Sequence, residues 1–289
     1  MTVSGKTKIC ALIGDPVEHT MSPPMHNAAY EKLRLDYIYI PFQVKPDDLS
    51  AAVHGLKALN VRGFNVTIPH KVAVIPLLDG LDPIAEKIGA VNTVVNDGGK
   101  LIGYNTDATG FLQALLERGV EPAGKNIVIL GAGGASRAIS YILADRGARL
   151  TILNRRLELD WAIDLARRIR EELGREVEAL ELTLGNLSGA LSGTDALINA
   201  TSVGMSPDNE SSPVPAGLLK SGLVVFDIVY NPVRTKLLEE AEEVGARTVG
   251  GVDMLVWQGA LAFEKWTGRQ APLDLMRAKV IESLEKHED

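Results

Sequence analysis

The chain has 289 residues, 46% hydrophobic and 23% charged, with a net charge of −7. That length gives one large or two ordinary domains, each able to bury a core, and the acidic balance argues against nucleic acid or an anionic membrane as partner. No apolar run is long enough to span a membrane, residues 1–8 are too polar and short for a secretory leader, and a single cysteine, Cys10, cannot form an intrachain disulfide, which suits a reducing cytoplasm.

In chain order, Ile9 to Ile13 reads as a buried strand that stops at Gly14-Asp15-Pro16. A loop runs to Pro23-Pro24, and Met25, Ala28, Ala29, Leu33 and Leu35 mark a helix. Tyr37 to Phe42 is a second strand, a helix runs from Pro46 to about Leu59, and Gly63 to Pro69 is a third strand with His70 and Lys71 just beyond. Asn96-Asp97-Gly98-Gly99 is a hairpin signal between Ala90–Val95 and Lys100–Tyr104. Asp107 to Arg118 continues as a helix with Phe111, Leu112, Leu115 and Leu116 on one face.

From Lys125 the pattern changes to that of a nucleotide-binding unit. Asn126 to Leu130 is an apolar strand, Gly131-Ala132-Gly133-Gly134-Ala135 breaks it, and Ala138, Ile139, Ile142 and Leu143 follow at helical spacing. Glycines let the backbone bend and a pyrophosphate approach, and the N-terminus of the next helix favours its charge. The third fingerprint position is Ser136, and a tight turn that binds nothing would have the same pattern. The strand Arg149 to Leu153 then ends in Asn154-Arg155-Arg156. An acid about 20 residues past the glycines selects NAD and arginine accommodates the 2′-phosphate of NADP, so this ending favours NADP, with Glu158 and Asp160 close by as the contrary signal; a solvated basic loop is the alternative. Further elements are a helix around Asp164 to Leu173, strands near Val177–Leu182, Ala196–Ala200, Leu223–Val229 and Arg247–Val249, and helices over Asp253–Trp266 and Leu273–Leu284, with Trp257 and Trp266 as packing side chains. That count fits an open, mostly parallel sheet with helices on both faces.

In open α/β sheets ligands sit beyond the carboxyl ends of strands. The polar clusters there are His19-Thr20-Met21-Ser22, Asn65 with Thr67 and Lys71, Asn92, and Asn105-Thr106-Asp107. Singly, each has an ordinary structural explanation: hydroxyls and Asp107 as helix caps, Asn65 as a turn residue, Lys71 as a surface lysine. The five histidines, His19, His26, His54, His70 and His287, lack metal-site spacing, so no metal is expected.

Taken together and in order, Asn65 to Lys71, Gly89 to Thr93, Gly103 to Asp107, Gly131 to Ala135, Asn154-Arg155-Arg156, Asn199 to Met205 and Gly251 to Gln258 resemble the shikimate dehydrogenase family over nearly the whole chain. The resemblance implies a two-domain α/β architecture: a substrate domain of residues 1–107 plus 253–289 and a Rossmann-type NADP-binding domain of residues 108–252. It implies Lys71 as acid/base with Asp107 as partner, and Thr20, Ser22, Asn65, Thr67, Asn92, Tyr230 and Gln258 around the substrate. Thr20 and Ser22 would hold its carboxylate. On the cofactor side it implies Gly131, Ala132, Gly133, Gly134, Ala135, Asn154, Arg155, Arg156, Thr201, Ile228 and Gly251.

The expected reaction is reversible, NADPH-dependent reduction of 3-dehydroshikimate to shikimate in aromatic amino-acid biosynthesis, by a cytoplasmic enzyme with small-molecule partners and room for a homodimer. Thr20 stands where the family usually has serine, which with the Asn-Arg-Arg loop points to a quinate/shikimate branch that includes NAD users; Leu157 stands where an acid would repel a 2′-phosphate, which keeps NADP ahead. A non-enzymatic dinucleotide sensor is the remaining reading, and it has no evident need for a lysine beside a carboxylate.

Overall fold

A computed structural model of the chain describes residues 3–286, so His287 and the first two residues of the polar start lie outside the described residues. The backbone forms two compact units, Met1–Gly110 with Val256–Asp289, and Phe111–Leu255.

In the first unit β1 (Lys8–Gly14) leads through α1 (Ser22–Lys32) to β2 (Tyr37–Gln43), and α2 (Leu49–Ala58) leads to β3 (Gly63–Val66). Then come β4 (Gly80–Leu81), α3 (Pro83–Ile88), β5 (Thr93–Asp97) and β6 (Lys100–Tyr104). The sheet order is β2-β1-β3-β5-β6-β4. β1 is parallel to β2 and β3, because α1 and α2 supply the long crossovers that parallel neighbours need. β5 turns back on β6 at Gly98 and Gly99, both at positive φ, and is antiparallel to β3 as well. Val53, Leu56, Phe64, Val66, Val91, Val94 and Leu101 form one core, each such side chain contributing about 1.5–3 kcal/mol on burial.

The chain enters the second unit within α4 (Thr106–Glu117) and continues as β7 (Asn126–Leu130), α5 (Gly134–Asp145), β8 (Arg149–Asn154), α6 (Leu159–Leu173) and β9 (Val177–Glu181). It goes on through α7 (Leu184–Leu191), β10 (Ala196–Asn199), β11 (Val224–Asp227), α8 (Lys236–Glu243) and β12 (Arg247–Val249). It returns to the first unit within α9 (Gly251–Thr267) and ends in α10 (Leu273–Glu285). All pairs in the second sheet are parallel, in the order β12-β11-β10-β7-β8-β9. The strand order reverses between β7 and β10, the position at which doubly wound sheets bind ligands.

Several local expectations change, among them that the strand expected over Ala90–Val95 is Thr93–Asp97 and the one over Leu223–Val229 ends at Asp227. The first helix starts at Ser22 rather than after the prolines, because Pro23 and Pro24 occupy its first turn, where a missing N–H costs nothing. It stops at Lys32, short of Leu35, and Arg34 takes a positive φ of 53°. The third strand ends at Val66, since the chain then turns from Thr67 to His70. The arginine-rich helix begins at Leu159, five residues early. Trp266 is buried in the first unit, its Nε1–H donating to Val94 O at 3.0 Å.

Candidate active site

Lys71 sits in the turn that follows β3. Thr67 N donates to Ile13 O and His70 N to Thr67 O, both at 2.9 Å, while the His70 ring donates from Nε2 to Val44 O at 2.6 Å. These bonds pin the turn, and Val91 N to Lys71 O at 2.8 Å fixes the lysine backbone itself. The Lys71 side chain is 18% exposed, and its Nζ donates to Asp107 Oδ2 at 2.6 Å. It is no solvated surface lysine.

Asp107 lies in the first turn of α4 without capping it. Asn105 does that work: its Oδ1 accepts from Ala108 N at 3.1 Å and its Nδ2 holds Ala90 O at 3.0 Å. The Asp107 carboxylate is therefore left for side chains, and its second oxygen accepts from Asn92 Nδ2 at 2.8 Å. Asn92 is buried, its Oδ1 accepting from Thr106 N at 2.7 Å and its Nδ2 reaching Gln258 Oε1 at 3.4 Å. Asn65, also buried, donates to Asn92 O at 3.1 Å and Thr93 Oγ1 at 3.0 Å. Its Oδ1 accepts from the Tyr39 hydroxyl at 2.7 Å.

One hydrogen-bonded network thus joins Lys71, Asp107, Asn92, Asn65 and Gln258. Thr106, from the polar cluster at the end of β6, belongs to it, as do Thr93 and Tyr39, which the sequence does not single out. For Tyr39 a signal existed: a tyrosine on the inward face of a strand needs a partner for its hydroxyl. Burial pushes that hydroxyl well above its usual pKa. Thr20 Oγ1 accepts from Ser22 N at 3.3 Å, and Thr67, half-buried, faces Gly14 with its methyl group. Tyr230 follows β11 in the second unit, with its hydroxyl pKa raised by burial.

In the second unit the glycine turn joins β7 to α5. Gly131 has φ +94°, and a Cβ there would meet Thr201 Cγ2 at 3.0 Å and Ala200 O at 3.1 Å. The turn therefore lies against the end of β10, at the reversal of strand order. A Cβ on Gly133 would meet nothing within 4 Å, an open cradle in front of a twelve-residue helix. Ser136 explains itself: fully buried, it donates to Gly131 O at 2.7 Å and ties helix to turn. At the end of β8, Asn154 Nδ2 holds Glu158 O at 2.7 Å, and Arg155 and Arg156 are exposed. These residues fit a dinucleotide: backbone and open space for the pyrophosphate, cations for an adenosine phosphate.

Asp227, at the end of β11, is fully buried and had no place in the sequence-based site. Its Oδ1 accepts from Asn199 Nδ2 at 2.9 Å and Val229 N at 3.0 Å, and its Oδ2 from Thr235 Oγ1 at 2.7 Å. Asn199 in turn accepts from Thr201 Oγ1 at 2.6 Å and its O from Ile228 N at 3.1 Å. Gly251 is in the same neighbourhood, since a Cβ there would lie 2.4 Å from Ile228 O. One carboxylate so fixes the strand ends that carry Thr201 and Ile228. Among the described residues no cluster of three or more His, Cys, Asp or Glu is placed to hold a metal ion, and no helix is long and apolar enough to cross a membrane.

Comparison with known proteins matches residues 12–94 to the shikimate dehydrogenase substrate-binding domain and residues 251–281 to the shikimate 5′-dehydrogenase C-terminal domain. The chain is 50% identical to a shikimate dehydrogenase (NADP(+)) of Methanopyrus kandleri over 287 residues, 98% of each chain. It superimposes with a TM-score of 0.93 on a crystal structure of shikimate dehydrogenase in complex with NADP+, at 43% identity and 98% coverage of both chains. A Listeria monocytogenes shikimate 5-dehydrogenase in complex with shikimate and NAD gives a TM-score of 0.91 at 40% identity, over 96% of this chain and 98% of that one.

Proposed function

The chain belongs to the shikimate dehydrogenase family, and from that premise we propose that it catalyses the reversible NADPH-dependent reduction of 3-dehydroshikimate to shikimate. The observation that carries the mechanism is the Lys71–Asp107–Asn92 chain of hydrogen bonds. NADPH, when bound, supplies the hydride that reduces the ketone. The alkoxide so formed needs a proton within hydrogen-bond reach, and the Lys71 ammonium stabilises the developing charge and delivers it. In the oxidising direction the neutral amine takes the proton from the alcohol. Asp107 orients the ammonium and accepts from a ring hydroxyl. Asn65, Thr67, Asn92, Tyr230 and Gln258 meet the other ring hydroxyls, and a site built to hydrogen-bond them rejects analogues that lack them. The hydroxyls of Thr20 and Ser22 hold the carboxylate.

On the cofactor side, Gly131, Ala132, Gly133, Gly134 and Ala135 take the pyrophosphate, and Asn154, Arg155 and Arg156 the adenosine phosphate. Thr201, Ile228 and Gly251 line the remainder. The same reading carries a cytoplasmic location and small-molecule partners without nucleic acid, which the net charge of −7 supports, and it allows a homodimer. Purified protein given shikimate and NADP⁺ is expected to generate absorbance at the NADPH band; no signal at any pH defeats the proposal. A quinate-active, NAD-using variant of the reaction is favoured by Thr20 and by the acid that engages Arg155. It is excluded if quinate is inert and NAD⁺ is far poorer than NADP⁺ in the same assay.

The glycine turn has its own test. Gly133→Val meets no protein atom with its first side-chain carbon and has an extended backbone that any residue adopts, so thermal stability is expected to fall by no more than about 1 kcal/mol, the scale of an unfavourable N-cap residue. The KM for NADP⁺ should rise at least tenfold on the order of one lost close contact, about 1.4 kcal/mol. An unchanged KM removes the pyrophosphate from this turn.

A further inference from the structure

The turn after β8 carries charges of both signs, and they are already engaged with each other. Arg155 Nε donates to Glu158 Oε2 at 2.7 Å, and its Nη2 donates to Glu158 Oε1, a bidentate fork of the kind guanidinium groups make with carboxylates and phosphates alike. The Glu158 backbone is held independently of that fork: its N donates to Arg155 O at 2.9 Å and its O accepts from Asn154 Nδ2 at 2.7 Å. The Arg155 side chain is 69% exposed and that of Glu158 23%, so the pair lies at the surface, where an ion pair adds little to folding stability. The fold does not need it.

The pair does bear on what the guanidinium can bind. A 2′-phosphate and the Glu158 carboxylate ask for the same donors on Arg155, and the two anions repel each other. An unphosphorylated ribose makes no such demand, and its hydroxyl can donate to a carboxylate. We propose that Glu158 is a specificity-determining residue, which by occupying Arg155 narrows the preference for a phosphorylated adenosine ribose over an unphosphorylated one. This rests on the reading that the end of β8 meets the adenosine ribose. The sign is opposite to what Asn154-Arg155-Arg156 suggests alone: those residues favour NADP, and the fourth tempers them.

The test compares wild type, Glu158→Gln and Arg155→Ala, with shikimate and either NADP⁺ or NAD⁺. It adds calorimetric titration of adenosine 2′,5′-bisphosphate as a readout independent of turnover. Glu158→Gln keeps the side chain's size and removes its charge. It should raise the ratio of kcat/KM for NADP⁺ over NAD⁺ by about fivefold, the size of one unit charge acting on another at contact distance in water, and tighten the bisphosphate by a similar factor. A ratio that stays put or falls overturns the proposal. Arg155→Ala separates the two readings: if it weakens NADP⁺ and the bisphosphate while Glu158→Gln changes nothing, only the role of Glu158 fails. If neither variant changes either cofactor, the placement of the ribose at β8 fails with it.

Discussion

Lys71→Ala is expected to lower kcat in both directions by about 10²–10⁴-fold, the usual contribution of a positioned proton donor, while the dissociation constant for NADP⁺ stays within twofold of wild type on the order of normal mutational scatter. The first half follows from the proposed role of the ammonium; the second from its place in the first unit, whereas the glycine turn belongs to the second. Lys71→Arg sharpens the argument. Arginine keeps the positive charge and can fork onto Asp107, yet it does not deprotonate in the pH range of the enzyme. If charge stabilisation were all that Lys71 supplied, arginine would restore most of the rate. If proton delivery matters, Lys71→Arg should bind substrate nearly as well as wild type and still turn over about 10²-fold more slowly at least. Steady-state kinetics of the three proteins, with cofactor binding followed by fluorescence, decides among them, and a Lys71→Ala protein of wild-type kcat removes the mechanism altogether.

The parts of this molecule that were legible in its sequence are those whose signal is local. Apolar runs bounded by glycine located β1, β7, β8, β10 and β11, and the turn at Gly131 announced its helix, because strand, tight bend and amphipathic periodicity all lie within about 20 residues. The pairing of Lys71 with Asp107 was not of that kind. It depends on β3, β5 and β6 lying side by side so that chain ends 36 positions apart meet, and no spacing rule encodes that; the family resemblance suggested it. The bland explanations failed for definite reasons. Asp107 is no cap, since Asn105 has the cap position, and Asn65 is no turn residue, since it lies within β3 with its amide bonded to Asn92, Thr93 and Tyr39. Short helices were passed over although their start signals were present: Asp82, Thr183 and Thr235 cap α3, α7 and α8 with their side chains. Asp227 was hidden for the opposite reason. The apolar run Leu223–Val229 reads as one strand straight through the acid, whereas β11 ends at it, and nothing local shows that three donors from distant segments converge there.

Asp227 gives the largest expected effect on stability. Alanine there removes the acceptor of three buried donors, Asn199 Nδ2, Val229 N and Thr235 Oγ1; at about 1–3 kcal/mol for each unsatisfied group, with partial relief because Asn199 Nδ2 keeps Val203 O at 3.2 Å and the threonine can rotate, a loss of about 2–4 kcal/mol follows. Asparagine should behave differently. Its Oδ1 can still accept from Asn199 and Val229, and its amide can donate to a Thr235 hydroxyl turned to accept. The charge matters too, because burial raises the Asp227 carboxyl to about 6, against the lowering pull of its hydrogen bonds from Thr235, Val229 and Asn199. A carboxyl whose folded pKa lies above its unfolded value holds a proton in the native state that the unfolded chain releases, so its contribution is present below about pH 4 and is lost as pH rises through about 6. Wild type should therefore lose stability relative to Asp227→Asn across that window, by up to about 3 kcal/mol for a shift of roughly two units, and the difference should be flat above and below it. Urea unfolding of both proteins between pH 4 and pH 7 measures this directly. A difference that runs the other way would mean the ionised carboxylate is preferred in the fold. The Asp227→Ala protein, where it folds, should also show a raised KM for the cofactor with kcat less affected, because the strand ends that carry Thr201 and Ile228 lose the group that holds them together.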